Sequence, residues 1–234
     1  MSSSIAPVQL IGTSVAVRDL ETDLRLAIHH PVNVLLSGEH GAGKTFLARL
    51  IHQHTAHAGP FRSVACAGFS ESVVESDLFG EPHGALACNA RGIVLLEEID
   101  RLAPPLQTRL VDFLDASARQ IRLLATTRTS LLDAMTSGDF RGDLHYRLNS
   151  IHLAVAPLRA RVEDVEPLMR FFVRREAADR GVAPPRLPPE IRQEFCARQW
   201  PGNVGELEEA VAAVVFEQRP LSPHGDSVGS ASSS

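Results

Sequence analysis

At 234 residues, with 44% hydrophobic and 22% charged positions, the chain is long enough for one large or two unequal domains around a substantial core. Its formal charge of −5 argues against a broad nucleic-acid-binding surface. Cys66, Cys88 and Cys196 lie far apart with no CxxC pair, which fits reduced thiols rather than a disulfide scaffold or a zinc site.

Residues 1–8 lack the basic and apolar stretches of a signal peptide, and no apolar run reaches the length of a bilayer span. A soluble, cytoplasmic protein without membrane contact is expected, its first eight residues disordered. Apolar residues at helical spacing predict a helix over Val15–His29. A buried strand is predicted over Asn33–Leu36, followed at once by Gly38-Glu39-His40-Gly41-Ala42-Gly43-Lys44-Thr45 and a helix over Lys44–His54. That is a complete phosphate-binding loop in its strand–loop–helix setting. The glycines let backbone N–H groups turn inward around phosphate oxygens, and the helix N-terminus adds partial positive charge. Lys44 is positioned to reach the β- and γ-phosphates, and Thr45 offers a hydroxyl to Mg²⁺. Residues Gly38, Glu39, His40, Gly41, Ala42, Gly43, Lys44, Thr45 and Phe46 are therefore expected to hold ATP or ADP. His52, His54 and His57 follow, but the helix turns His52 and His54 apart and no cysteine or acid is close in sequence, so no metal site is expected there.

Further strands are predicted over Phe61–Ala65, Ile93–Leu96, Arg122–Thr126 and Ser150–Val155, and helices over Pro105–Leu114, Thr129–Gly138 and Asp143–Leu148. The alternation and the near-continuous apolar strands mark a parallel α/β sheet covered on both faces. The strand Ile93–Leu96 runs into Glu97-Glu98. Triphosphate hydrolysis needs one carboxylate in the Mg²⁺ shell and a second to orient and deprotonate water, which assigns Glu97 (with Thr45) to the metal and Glu98 to the water. The usual pair is Asp-Glu, and the extra methylene of Glu97 displaces its carboxylate by about a bond length. After Pro157 the pattern turns wholly helical, over Arg161–Asp179, Pro189–Gln199 and Val204–Glu217, with Pro184-Pro185, Pro188-Pro189 and Trp200-Pro201-Gly202-Asn203 as punctuation. Trp200 is expected to anchor the packing of this part. The boundaries are then 9–157 for the nucleotide-binding domain, 158–219 for a helical domain and 220–234 for a disordered Ser-rich tail.

Several longer motifs stand in order: Leu10-Ile11-Gly12-Thr13-Ser14, Glu75-Ser76-Asp77-Leu78-Phe79-Gly80, Phe140-Arg141-Gly142-Asp143-Leu144-His145-Tyr146-Arg147-Leu148-Asn149, Pro157-Leu158-Arg159-Ala160-Arg161-Val162-Glu163-Asp164 and Trp200-Pro201-Gly202-Asn203-Val204-Gly205-Glu206-Leu207-Glu208. From about Gln9 to Glu217 the chain resembles the AAA+ domain of bacterial enhancer-binding proteins, the activators of σ54-dependent transcription. The resemblance implies a P-loop AAA+ five-stranded parallel sheet flanked by helices, with a small C-terminal helical lid. It implies assembly into rings with ATP at subunit junctions, Ile11 and Gly12 at the adenine, Thr126 as first sensor, and Arg141 and Arg147 as fingers reaching a neighbouring subunit's γ-phosphate. The partners implied are further copies or other AAA+ activators, and RNA polymerase carrying σ54. No helix-turn-helix follows the lid in this sequence; a whole protein of this length is expected to have no DNA reader of its own, and an excised domain is the alternative.

The chain also departs from the family. A loop bearing a GAFTGA motif, which touches σ54, should follow Gly80. Here residues 81–92 lead directly to the acidic strand, and only Gly84-Ala85-Leu86 echoes the motif. A second loop of the same face is shortened at residues 115–120. Ala65 stands where the family has an Asn that switches the catalytic Glu, Thr126-Thr127 where it has Thr-Asn, and Gly205 where it has a lid arginine. Three readings follow. One is an ATP-binding regulator with weak or absent hydrolysis that joins other family members; the second is an active ring ATPase with a different output; the third is a non-catalytic interaction module stabilised by nucleotide.

Overall fold

A computed structural model of the protein describes residues 9–55, 59–87, 91–116 and 121–217. The segments 1–8 and 220–234, expected to be disordered, and His57 lie outside the described residues. The first helix, α1 (Val15–His29), starts because Ser14 Oγ accepts the Val17 N–H at 3.1 Å, and it buries Leu20, Leu24, Ala27 and Ile28. Strand β1 (Val34–Ser37) passes through the loop into α2 (Lys44–His54). Then come β2 (Phe61–Ala65), α3 (Glu71–Phe79), β3 (Gly92–Glu97), α4 (Pro104–Asp115), β4 (Ile121–Thr127), α5 (Leu131–Ser137), α6 (Gly142–Leu148) and β5 (Ile151–Ala154). Helix α3 stands where the sequence predicts none. It buries Val74, Leu78 and Phe79 while Val73 faces solvent, so no clean stripe announces it. Helix α5 starts two residues later than predicted, because Ser130 caps it by accepting the Asp133 N–H.

All five strands are parallel, in the order β2-β3-β4-β1-β5. Alternate residues divide the sheet between two cores, as a period of two requires. Leu35, Val94, Leu96, Leu123 and Ala125 pack with α3, α4 and α6, while Val34, Leu36, Ile93, Leu95 and Leu124 pack with α1 and α2. Where the strands begin, buried Arg122 staples the layers, donating to the carbonyls of Val32 (2.7 Å) and Ala27 (2.5 Å) and to Thr55 Oγ1 (3.3 Å). Burial lowers its pKa to about 10. Because the strands are parallel, every strand's C-terminal end lies at the same edge, where ligands of open α/β sheets bind. The phosphate loop, Glu97-Glu98, Thr126-Thr127 and Val155 all follow from that one topological fact.

The helical lid comprises α7 (Val165–Asp179), α8 (Pro189–Ala197) and α9 (Asn203–Glu217), entered through 3₁₀ turns at Leu158–Ala160 and Val162–Asp164. Its own core gathers Leu168, Met169, Phe172, Phe195, Trp200 and Leu207. Trp200 is fully buried, its ring edge-on to Phe195 and its Nε1–H donated to the Phe195 carbonyl at 2.8 Å. Asn203, fully buried with φ 55°, ties lid to loop. Its Oδ1 accepts the Leu158 N–H at 2.8 Å, and its Nδ2 donates to the His40 carbonyl at 2.9 Å and to Glu39 Oε2 at 3.2 Å. Asn203→Ala strands the Leu158 N–H and the His40 carbonyl, an expected loss of about 2–4 kcal/mol. Chemical denaturation checks it, and a loss under about 0.5 kcal/mol would show the tie to be idle.

Candidate functional site

A cavity of about 770 Å³ lies between the C-terminal edge of the sheet and the lid. Residues 40–46 of the phosphate loop line it, together with Ile11, Glu97, Glu98 and Thr126. Gly38 and Glu39 stand just behind, their carbonyls each accepting from Lys44 Nζ at 2.7 Å. Lys44 is only 8% exposed; burial lowers the pKa of its ammonium, opposed by the nearby carboxylates of Glu98, Asp100 and Glu39. Gly43 ends the loop at φ 109°, and nothing lies within 4 Å of the place a Cβ would occupy there, so the cradle is open on that side.

The two acidic residues have different surroundings. Glu97, at the end of β3, accepts Thr45 Oγ1–H at 3.0 Å on Oε2 and Ser63 Oγ–H on Oε1. Glu98 turns out of the strand in the left-handed region, φ 56° and ψ 53°, a costly conformation for a residue with a side chain. The Thr126 hydroxyl holds that turn by accepting the Glu98 N–H at 3.0 Å. The Glu98 carboxylate is bound by Arg128 Nη2 at 2.6 Å. Ala65, at the end of β2 and paired in register with Glu97, offers only a methyl. The Thr127 hydroxyl is taken up by the turn beyond it, donating to the Thr129 carbonyl at 2.8 Å.

The lid presses directly on the loop. Gly205 N–H donates to the Gly41 carbonyl at 3.1 Å, and a Cβ on Gly41 (φ 71°) would meet the Gly202 carbonyl at 2.1 Å. Gly41→Ala is expected to unseat the lid and weaken nucleotide binding at least tenfold, read by titration calorimetry; unchanged affinity would refute the contact's importance. Glu39 completes the latch. Arg159 binds both its oxygens, at 2.5 and 2.6 Å, and with Asn203 holds its carboxyl at about 2 against an ordinary 4.5. A carboxyl depressed on folding stabilises fully above its unfolded pKa. The latch is therefore complete at neutral pH, weakens below about 4.5 and is lost as pH falls through about 2.

Gly12 does not line the cavity. Its backbone, at φ 154°, packs against Asp164, which accepts the N–H groups of Thr13 and Ser14 and so carries Ile11 to the cavity wall. Arg141 and Arg147 also lie outside. Arg141 is bound to Asp143 through Nε (3.0 Å) and Nη2 (2.7 Å), and Arg147 to Asp115 at 2.5 Å. Tyr146, beside them on α6, is 85% exposed. His52 meets the Gly59 carbonyl at 2.8 Å and the Phe61 ring. Several cavity residues have no site role in the sequence reading: Arg128, Phe171, Phe172 and Arg175, and also Arg161 and Glu208, which stand there only as members of motifs. Arg128 could have been found as the second residue beyond Thr126. The lid residues carry no local signal, since only the fold of α7 and α9 over the sheet makes them neighbours of the loop.

Residues 10–154 match the family model of the Sigma-54 interaction domain, and residues 159–221 that of the AAA+ ATPase lid domain. The HTH-type transcriptional regulatory protein TyrR of Enterobacter agglomerans is 34% identical over 92% of this chain and 46% of its own length. The Sigma54-dependent transcriptional activator SfnR of Pseudomonas putida is 38% identical over 76% of this chain and 55% of its own. Among solved structures, NtrX from Brucella abortus in complex with ADP aligns with a TM-score of 0.83 at 30% identity, over 93% of this chain and 53% of NtrX. Its complex with ATP gives 0.81 at 29%, over 91% and 53%. The chain spans about half the length of the curated relatives it matches.

Proposed function

We propose that this chain, which belongs to the σ54-interaction family of AAA+ ATPase domains and carries that family's lid, is an ATP-binding transcription regulator with weak or absent hydrolysis. It acts by associating with further copies or with other AAA+ activators. The observation that carries the reading is the meeting of Lys44, Thr45, Glu97 and Glu98 in one cleft while Glu98 is ion-paired with Arg128 and lid position 205 is a glycine with no side chain to offer. NtrX, solved with ATP and with ADP, supports nucleotide in the equivalent cleft.

In this reading the loop amides of residues 40–44 and the Lys44 ammonium grip the phosphates, and Ile11 bounds the base. The Thr45 hydroxyl and Glu97 carboxylate are hard oxygen donors of the kind Mg²⁺ takes, and they would hold it beside the phosphates, where it neutralises their charge. Glu98 is the base for the attacking water, held in register by Thr126. Arg141 and Arg147, parked on acids outside their own cleft, serve a neighbouring subunit's site, with Tyr146 between them at the junction. The short stretch at residues 81–92, part of it outside the described residues, leaves the σ54-directed loop reduced. A mixed ring would then gain finger arginines but lose a σ54 contact, and transcription would be damped.

Phosphate release across a range of protein concentrations, for wild type and Glu98→Ala, tests the reading. Slow, concentration-independent release is expected; fast release that rises with concentration and disappears in Glu98→Ala would establish the active ring ATPase instead. The lid position gives a converse test. A Cβ on Gly205 would stand 3.6 Å from Gly41 Cα, an ordinary contact. Gly205→Arg is expected to fold and to tighten ATP binding about tenfold through charge-assisted hydrogen bonds. Unchanged ATP affinity in a folded variant would show that the missing guanidinium is not what weakens the site.

A further inference from the structure

A second hollow, of about 570 Å³, adjoins the nucleotide cavity, and Ile11 and Phe171 line both. It opens where the segment before α1 meets the start of the lid, with Thr13 on one side and Glu163, Arg170, Phe171 and Arg174 on the other. The lid residues recur at three- and four-residue spacing, so they present one stripe of α7 and the turn before it. The charges of that stripe are not all spent. Arg170 Nη2 binds Glu166 Oε1 at 2.6 Å, and Arg192 Nη1 stands 4.0 Å from the same oxygen. Glu166 is thus shared between two guanidinium groups. Arg174 and Glu163 have no hydrogen-bond or ion-pair partner among the described residues. Phe171, 40% exposed, lies between them along the stripe.

An unused cation at one end, an unused carboxylate at the other and an open aromatic ring between them define a ligand by its ends. From Glu163 to Arg174 a rise of about 1.5 Å per residue carries the chain roughly 16 Å. An α-amino acid, whose opposite charges share one carbon, is too short to meet both side chains. A nucleotide is long enough, because ribose separates its phosphate from its base, and the base is a flat ring for Phe171 to stack against. The guanidinium fork of Arg174 matches a phosphate, and Arg170 one turn away extends the positive end. The carboxylate selects the base. Glu163 only accepts, so it pairs best with two N–H donors side by side. Guanine offers its N1–H and its N2 amino group there, whereas adenine sets its amino group beside a ring nitrogen that repels a carboxylate. We propose that this hollow is an effector site for a guanine nucleotide, with its phosphate on Arg174, its ring on Phe171 and its base edge on Glu163. Because Ile11 and Phe171 belong to both cavities, an occupant here alters the wall of the nucleotide cleft, and each ligand changes the other's affinity by the same factor. Thr13, Glu163 and Arg174 are not among the residues that line the nucleotide cavity, so the second site stands whether or not the first binds ATP.

The test is titration calorimetry with GMP, and with AMP for comparison, on wild type saturated with ADP and Mg²⁺ and on Lys44→Ala without ADP. GMP is expected to bind both proteins, about tenfold more tightly than AMP. Arg174→Ala is expected to weaken GMP and AMP alike by about tenfold, the effect of a lost charge-assisted contact. Glu163→Gln is expected to weaken GMP about tenfold and to leave AMP within about twofold, erasing the preference. Both side chains belong to exposed residues, so the two variants should fold and keep the ADP affinity of wild type. Saturating GMP is expected to shift that ADP affinity several-fold, and an unchanged value overturns the coupling. GMP binding that ADP displaces or that Lys44→Ala abolishes belongs to the phosphate loop and overturns the second site. So does the absence of GMP binding, or binding that neither Arg174→Ala nor Glu163→Gln weakens. AMP binding as tight as GMP overturns the choice of base. A wild-type protein that takes up GMP but neither ATP nor ADP overturns the ATP-binding reading instead and upholds the second site.

Discussion

Lys44→Ala is expected to erase the rise in melting temperature that ATP or ADP gives the wild-type protein. The ammonium is held inside the loop's own ring of carbonyls, donating to Gly38 and Glu39 at 2.7 Å each. It has already surrendered most of its water, as its lowered pKa reflects. Its attraction for phosphate is therefore little screened, and losing it removes about 2–3 kcal/mol of binding, on the order of a hundredfold in affinity. At a nucleotide concentration a hundred times Kd, binding adds about 2.7 kcal/mol to stability. For a chain of this size that is a shift of roughly 5–10 °C. In Lys44→Ala the same nucleotide concentration should give a shift near zero by scanning fluorimetry. The comparison is between shifts, because the variant also releases two loop carbonyls and its own baseline moves. A variant that keeps the full rise would remove Lys44 from the phosphate site.

How much of this site is legible in the sequence depends on whether its parts are local. The phosphate loop is, because glycines, Lys44 and Thr45 lie within eight consecutive residues between an apolar strand and a helix. The strands are, because sheets buried on both faces read as short apolar runs, and the acidic pair follows directly from one of them. The five-stranded parallel sheet and the helical lid follow from the same patterns. Helix α3 is not legible, because Val73 and Val74 are adjacent and only one can face the core. Arg128 is silent as well: an arginine after a strand is commonplace, and its meaning arises only when β3 and β4 lie side by side and Glu98 turns back at φ 56°. Asn203 and Asp164 are legible only as members of motifs. Their partners lie 163 and 150 residues away, in His40 and Ser14, and no window along the chain contains both ends of such a contact.

Asp164 is expected to have a large stabilising effect for a side chain outside the apolar cores. The carboxylate is fully buried. It accepts the N–H groups of Thr13 at 2.6 Å and Ser14 at 2.9 Å, and the Ser14 hydroxyl at 2.6 Å. Its second oxygen lies 4.0 Å from Arg161 Nη1, itself buried. Asp164→Ala removes the acceptor for two backbone donors and the counter-charge of a buried guanidinium together, so the loss should be about 3–5 kcal/mol. That corresponds to a fall in melting temperature on the order of 10 °C. Asp164→Asn separates the two causes, because one carbonyl oxygen can still accept from the Thr13–Ser14 turn while Arg161 loses its partner. A loss in Asp164→Asn close to that of Asp164→Ala would place the cost on the guanidinium; a much smaller one would place it on the turn. Ile11 should report the same event at the cavity wall, since the segment that carries it is hydrogen-bonded through the Thr13 and Ser14 N–H groups to this carboxylate and through the Leu10 N–H to Glu21. Weakened nucleotide binding is therefore expected in both variants even at temperatures where they remain folded. A variant that binds ATP as wild type does while melting much lower would confine Asp164 to holding the lid.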